Sequence, residues 1–343
     1  MDNNLNFVGI FFIFLLILNY ILIKFDFCID RTLKKNSHKL LLKLNHPVPL
    51  SGTIYFVLIT FLTFLNFDIY FFSIFICFFI IGLLSDLNIT NSPKLRLFMQ
   101  FMILLFFLYY NKSIIIDTRI EFLNNLMINE FFRIFIISFF FLVLINGFNF
   151  IDGVNNLCSL NFLIILFFSY LLINSINILY FEDSILILIL SLSVFVILNF
   201  FGKNFLGDGA VYGLSFIIGY ILINISLSSK TISPYFIANL LWYPAFENLF
   251  TIIRRMKSNK KNYLPDNEHL HQIIFKYLKY KFKLKKKFLI SSITGIIINL
   301  YLFLSYFLGF IYYSKTNIQV ILILFGIIIY IFTYFQLEKK LNE

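Results

Sequence analysis

The sequence predicts an all-α fold, a polytopic transmembrane helical bundle of about ten to eleven spanning helices in one domain covering residues 1–343. Three observations predict it. Sixty per cent of the residues are hydrophobic, and the mean hydropathy is +0.88. Charged residues make up 13%, about half the usual ~25% of a soluble domain. Apolar runs recur along the whole chain at close to the ~20 residues that a helix needs to cross a bilayer. Periodicity alone does not separate such helices from buried strands, but length does, and open sheet edges are not viable in lipid.

The candidate spans lie near 5–24, 53–67, 69–84, 97–111, 131–147, 160–180, 184–201, 210–227, 235–253, 288–312 and 318–336. The first has no basic residues before it and no small-residue cleavage site after it, so it reads as a retained membrane helix rather than a cleaved signal. The second and third are short and suggest one helical hairpin broken near Asn66, Phe67 and Asp68. Segment 112–130 (KSIIIDTRIEFLNNLMINE) is mildly amphipathic and suggests a short hairpin lying on the outer surface. The remaining runs alternate with short polar connections, with no internal repeat and no linker long enough to divide the chain.

Orientation follows from Lys and Arg, which gather on the cytoplasmic side of membrane proteins. With the N-terminus outside, the inward segments are 24–52, 85–96, 148–159, 202–209, 254–287 and 337–343, and they hold 23 of the 28 basic residues. Lys112, Arg119, Arg133, Lys230 and Lys315 remain outside. The C-terminus is then cytoplasmic. This assignment uses basic residues only, yet it places Asp86, Asp152 and Asp208 at the cytoplasmic ends of helices. All four histidines, His38, His46, His269 and His271, fall in inward segments too.

Acids joined to membrane helices are expensive and point to function. Asp152-Gly153 lies in NGFNFIDGVNNL (146–157) and Asp208-Gly209 in FLGDGA (205–210). Carboxylates beside glycines and amides suit a hard cation such as Mg²⁺, which keeps sites for water and substrate phosphates. The plain alternative for each pair is a turn at a helix end. Asn146, Asn149, Asn155 and Asn156 could hydrogen-bond a nucleoside, or serve as ordinary loop amides. In PDNEHLHQ (265–272) the i, i+2 spacing of His269 and His271 is poor for a shared metal on a helix and better for phosphate hydrogen bonding from a loop. Cys28, Cys77 and Cys158 are far apart, which argues against a disulfide scaffold or zinc site. The basic, aromatic stretch 273–287 (IIFKYLKYKFKLKKK) reads as an interfacial segment attracted to anionic lipid. Pinned between membrane helices, it is not a nucleic-acid site. HPVPLSG (46–52) fixes a turn before the second span.

Together these motifs resemble the polyprenyl-phosphate N-acetylhexosamine-1-phosphate transferase family, glycosyltransferase family 4. That family includes the bacterial enzymes that start O-antigen, enterobacterial common antigen or teichoic acid synthesis, and phospho-MurNAc-pentapeptide translocase. The resemblance runs from about residue 30 to 272. His46, Pro49 and Gly52 match H-x-x-P-x-x-G. GLLSDL followed by SPKLRLFMQ (82–100) resembles G-x-x-D-D and K-L-x-x-Q. Asn146, Asn149, Asp152, Gly153 and Leu157 match N-A-x-N-x-x-D-G-x-x-G-L. FLGDGAVYGLSFIIG (205–219) is similar to F-x-G-D-x-G, and PDNEHLHQ to P-D-x-x-H-x-H-H. Ser85 stands where the family has the first Asp of its pair. Asn155 and Asn156 replace an acid and a glycine, and Gln272 replaces the last His.

The resemblance implies transfer of a sugar-1-phosphate from a UDP-sugar to polyprenyl phosphate, with UMP released, at the cytoplasmic face of the inner membrane. It implies Mg²⁺ as cofactor, with Mn²⁺ as a substitute. Asp208 is expected to hold the metal. Asp86 is expected to orient or deprotonate the lipid phosphate, or to help hold the ion. Asp152 and Asn149, with Gly153 and Asn155, are expected to line the nucleotide-sugar site, while His269, His271, Lys94 and His46 contact substrate. Within the family, GDGAxY and the short histidine loop favour the O-antigen or capsule type over the peptidoglycan enzyme. A catalytically impaired relative, motivated by Ser85, and a secondary transporter are the competing readings. A homodimer is left open.

Overall fold

The computed structural model describes residues 2–30, 47–63, 69–90, 92–111, 114, 116–178, 181–257, 268–282 and 286–343. The described residues form thirteen helices and one two-stranded ribbon. In chain order these are α1 (Asp2–Phe25), β1 (Ile29–Asp30), β2 (Val48–Pro49), α2 (Gly52–Thr63), α3 (Ile69–Asp86), α4 (Pro93–Tyr110) and α5 (Glu121–Ile128). Then follow α6 (Glu130–Ile151), α7 (Leu157–Ser175), α8 (Glu182–Phe200), α9 (Gly207–Ser228), α10 (Pro234–Lys257), α11 (Leu270–Phe282), α12 (Lys287–Ile311) and α13 (Thr316–Asn342).

Nine of the described helices are long and apolar enough to cross a membrane, and two shorter apolar helices, α2 and α3, accompany them. The polytopic helical bundle is as expected, but nine described helices of spanning length are fewer than the ten to eleven expected. At 1.5 Å per residue the twelve residues of α2 rise only about 18 Å, well short of the ~30 Å hydrocarbon core. His46 and the proposed break at Asn66, Phe67 and Asp68 lie outside the described residues.

The centre of the bundle is α9. All of its residues from Gly207 to Gly219 are buried, and α2, α3, α6, α7 and α10 pack on it. Small residues allow this. Gly209 lies against Thr53 and the Phe79 backbone, Gly213 against the Phe79 ring, and Gly219 against the Phe141 ring. Small-residue faces bring membrane helices close where no hydrophobic force separates helix from lipid. By contrast, α1, α4 and α13 are largely exposed along their spans, the expected surface of helices that face lipid.

Segment 112–130 departs from the expected hairpin. Among its described residues it forms the helix α5, preceded by a turn. Asn124 makes that turn: its Oδ1 accepts from Thr118 N (2.9 Å), and its Nδ2 donates to Asp117 Oδ1 (2.7 Å). A side chain closing its own local backbone competes with strand pairing.

Helix directions gather the motifs at one pole. There α3 and α6 end, and α4, α7, α9 and α12 begin. Several motif residues expected in loops are helical: Asn149 lies in the last turn of α6, Asp208 in the first turn of α9, and Lys94 in the first turn of α4. The β1–β2 ribbon pairs Ile29 with Pro49 and Asp30 with Val48. It docks on the strand-like approach to α9, where Phe205 N donates to Pro49 O (3.0 Å) and Gly52 N to Phe205 O (3.1 Å). Cys28, Val48, Leu50 and Phe205 form a small apolar core beneath it.

Candidate active site

At the first centre, α3 delivers Asp86 to the N-terminus of α9. Asp86 Oδ1 accepts from Asp208 N (2.8 Å), and Oδ2 accepts from Gly209 N (3.3 Å) and Thr53 Oγ1 (3.2 Å). Thr53 Oγ1 in turn accepts from Ala210 N (3.1 Å). The unpaired amides of the first helical turn and the positive end of its dipole both favour a carboxylate there. Asp86 therefore caps α9 from a neighbouring helix. The approach depends on two glycines. Gly207 has φ +78°, which glycine adopts without strain. Gly82 abuts the Asp208–Gly209 backbone so closely that a Cβ has no room.

Capping points the Asp208 side chain the other way, toward α4. Arg96 Nη1 meets Asp208 Oδ2 at 2.8 Å. Ser85 Oγ donates to the same oxygen at 2.6 Å, and Arg96 also donates to Ser85 Oγ. The Tyr212 hydroxyl is 3.5 Å from the guanidinium. Asp208 is 5% exposed, and the Arg96 side chain is 20% exposed. A charge-assisted pair that sits at the edge of the protein in this way is available to an anionic ligand. Lys94, the expected cation, is exposed; Arg96 is the one that reaches Asp208. The sequence held the signal, because the family's K-L-x-x-Q puts its cation four residues before the Gln, and Arg96 stands four before Gln100. Gln100, one turn along α4, accepts from Asn146 Nδ2 at 3.1 Å, so α4 links the first centre to the second.

The second centre is the end of α6. Asp152 is its C-cap residue and is 6% exposed. Asn149 is half-buried. The turn that follows is braced by α8 and α12. Asn155 N donates to Ser291 Oγ (2.8 Å), Asn156 N to Asn199 Oδ1 (2.7 Å), and Asn299 Nδ2 to Asn156 O and Leu157 O (both 3.0 Å). Asn156 has φ +61°, a left-handed conformation that Asn tolerates better than most residues. Asn155 is fully buried with its amide nitrogen toward Gly202. The bracing bonds are made by the backbone of residues 155 and 156, so they do not depend on the two Asn side chains.

The histidines close over the second centre. The His271 imidazole packs directly on Gly153, where any Cβ would collide with Nε2. The His269 ring stacks on His271 with centroids 5.5 Å apart and planes 9° apart, and lies 5.4 Å from the Phe150 ring. Both are buried. The loop reading fails in part, because His271 lies in the first turn of α11. Gln272 explains its own departure from the family. Its Oε1 accepts from His269 N (3.2 Å), while His269 O accepts from Gln272 N (2.9 Å). The side-chain bond is the N3-to-N-cap half of a capping box, and the other is a backbone bond of the first helical turn.

Among the described residues no group of three or more His, Cys, Asp or Glu side chains is placed to hold a metal ion. Both Asp86 oxygens accept hydrogen bonds from α9 and Thr53. Asp208 fits a cation that takes few protein carboxylates and completes its shell with phosphate oxygens and water, as Mg²⁺ commonly does.

The fold and these centres define a polytopic membrane protein with a carboxylate–guanidinium site at the buried end of its central helix. Residues 68–226, somewhat under half of the chain, match the family described as Glycosyl transferase family 4. The family's activity is transfer of a sugar-1-phosphate to polyprenyl phosphate. No curated protein matches the chain.

Proposed function

We propose that the protein transfers an N-acetylhexosamine-1-phosphate from a UDP-sugar to undecaprenyl phosphate and so starts a lipid-linked surface glycan of the O-antigen or capsule type. In this reading the chain is a single transferase domain of the inner membrane, with its N-terminus outside and the polar pole facing the cytoplasm. The observation that carries the proposal is the Arg96–Asp208–Ser85 cluster at the capped N-terminus of α9.

A lipid phosphate oxygen attacks the sugar-linked phosphorus. One P–O bond forms to give the polyprenyl diphosphate sugar, and the P–O bond to UMP breaks. The nucleophile is a phosphomonoester whose second ionisation lies near ~6, so it arrives largely as the dianion and needs no strong base. Ser85 in place of an acid is compatible with that chemistry. The obstacle is bringing two anions together, and phosphoryl transfer is mainly a problem of positioning and charge. Arg96 supplies a fixed cation on the phosphate side, and the α9 N-terminus supplies a positive dipole end. Asp208 would hold Mg²⁺, which when bound screens the diphosphate and stabilises the leaving phosphate. Asn149, Asp152 and Gly153 would line the nucleotide-sugar site under His269 and His271.

The test is UMP release from purified protein given undecaprenyl phosphate, Mg²⁺ and a panel of UDP-N-acetylhexosamines. UMP that depends on both substrates supports the proposal. Retained UDP-sugar binding without UMP from any donor identifies an impaired relative, and substrate flux into liposomes without UMP identifies a transporter.

A further inference from the structure

The most buried acid among the described residues lies outside the cluster at α9. Glu247, in the middle of α10, is 0% exposed, and both carboxylate oxygens are engaged from other helices. His269 Nδ1 is 2.9 Å from Oε1. The Tyr330 hydroxyl of α13 donates to Oε2 at 2.8 Å. Thr251 Oγ1, one turn further along α10, is 3.2 Å from the same histidine nitrogen. A carboxylate is costly to bury in an apolar bundle unless it is paired and hydrogen-bonded. This one sits where it can act on His269, the ring that stacks on His271 over the Asp152–Gly153 turn.

We propose that Glu247 is a positioning residue for the histidine centre, anchored by Tyr330 and holding His269 with its Nδ1 hydrogen donated to the carboxylate. Nε2 is then the other polar atom of the ring. A carboxylate behind an imidazole fixes its tautomer and its orientation, so that Nε2 is the atom presented to phosphate. His271 shares this placement through the 9° stack, and Gly153 receives it. The arrangement ties α13, the C-terminal helix, to the site through a single hydroxyl. It also fixes where the chain enters α11. The inference rests on the transferase reading for its chemistry, but its geometry stands apart from it.

Two measurements separate those layers. The first needs no turnover: ¹⁵N-histidine-labelled protein in detergent, with resonances assigned through His269→Gln. The wild type is expected to show His269 protonated and hydrogen-bonded at Nδ1. Glu247→Leu is expected to lose that signature, and Tyr330→Phe to weaken it. An Nε2-protonated His269 in the wild type, or a signature unchanged in Glu247→Leu, overturns the inference whether or not the protein is a transferase. The second is kinetic. Glu247→Gln keeps the size and one acceptor, and is expected to lower kcat by about 10- to 100-fold, the range seen when a partner that orients a functional histidine is lost. KM for the UDP-sugar should change less than about threefold, since the loss falls on an interaction strengthened in the transition state. Combined with His269→Gln it should cost no more than His269→Gln alone. Independent, multiplying losses would mean that Glu247 does not act through His269. Normal NMR behaviour with no UMP from any variant or the wild type would sink the transferase reading and leave the positioning intact.

Discussion

The two polar centres are built in opposite ways. At α9, the charges meet at a half-open edge: Asp208 and Arg96 are paired, but the guanidinium keeps 20% exposure. At α10 and α11, Glu247, His269 and Tyr330 form a closed network with the carboxylate wholly buried. The α9 cluster lies inside the matched region of residues 68–226, and Glu247, His269 and Tyr330 lie outside it. An exposed pair can exchange its partner for phosphate or a cation. A sealed one serves to hold a ring in place. The comparison therefore assigns charge chemistry to α9 and orientation to α10, and each substitution below tests that division.

The largest expected effect is at Arg96. Arg96→Ala should lower the rate of UMP release by about 10²-fold or more, the loss typical of one preorganised donor at a developing charge. Arg96→Lys should recover part of it, because an ammonium keeps the charge but not the planar fork. A near-normal Arg96→Ala would remove the cation from the phosphate side. Asp86 is next. As a cap, Asp86→Ala should destabilise the protein by about 0.5–2 kcal/mol, read as a lower thermal inactivation temperature. Asp86→Asn keeps one acceptor and should stay within about tenfold of wild-type turnover, a loss of about 1.4 kcal/mol. An Asp86→Asn variant that folds but is as dead as Asp208→Ala would make Asp86 a base or ligand instead.

Smaller effects sharpen the same boundary. Ser85→Asp should be tolerated, since its carboxylate would meet the Arg96 guanidinium that Ser85 already touches. Total loss of UMP release would show that the site is rebuilt around the hydroxyl. Cys28 reports on the cap from behind. Burial, and then the Asp86 carboxylate, push its thiol up to about 12. The thiolate is the reactive form, so maleimide labelling of Cys28 in the folded protein should stay slow at pH 8 and rise only as pH approaches that value. Unfolding, which restores a pKa of about 8.5, should make it fast.

Much of the bundle was legible because membrane helices announce themselves by length and apolarity, and because helix direction alone brings Asp86, Asp152 and Asp208 to one pole. What the sequence did not disclose were bonds made across helices. Nothing in GLLSDL says that Asp86 reaches the amides of Asp208 and Gly209, since capping by a side chain from another helix leaves no local pattern. Arg96 is recoverable by counting back four residues from Gln100, a spacing that Lys94, six residues before it, does not meet. Glu247 carried a plainer signal: an acid inside a candidate span. Its partner Tyr330 did not stand out in a chain with 20 tyrosines. The expected outer hairpin failed because Asn124 closes a local turn ahead of α5.

The central claim is that Asp208, held by a capped helix and paired with Arg96, serves phosphoryl transfer. Its most direct test is UMP release by the wild type and Asp208→Ala in detergent with undecaprenyl phosphate, Mg²⁺ and UDP-N-acetylhexosamine. The account predicts UMP that requires the lipid phosphate, and a loss of about 10²–10³-fold in the folded variant. UMP release that survives in Asp208→Ala at near wild-type rate would contradict it.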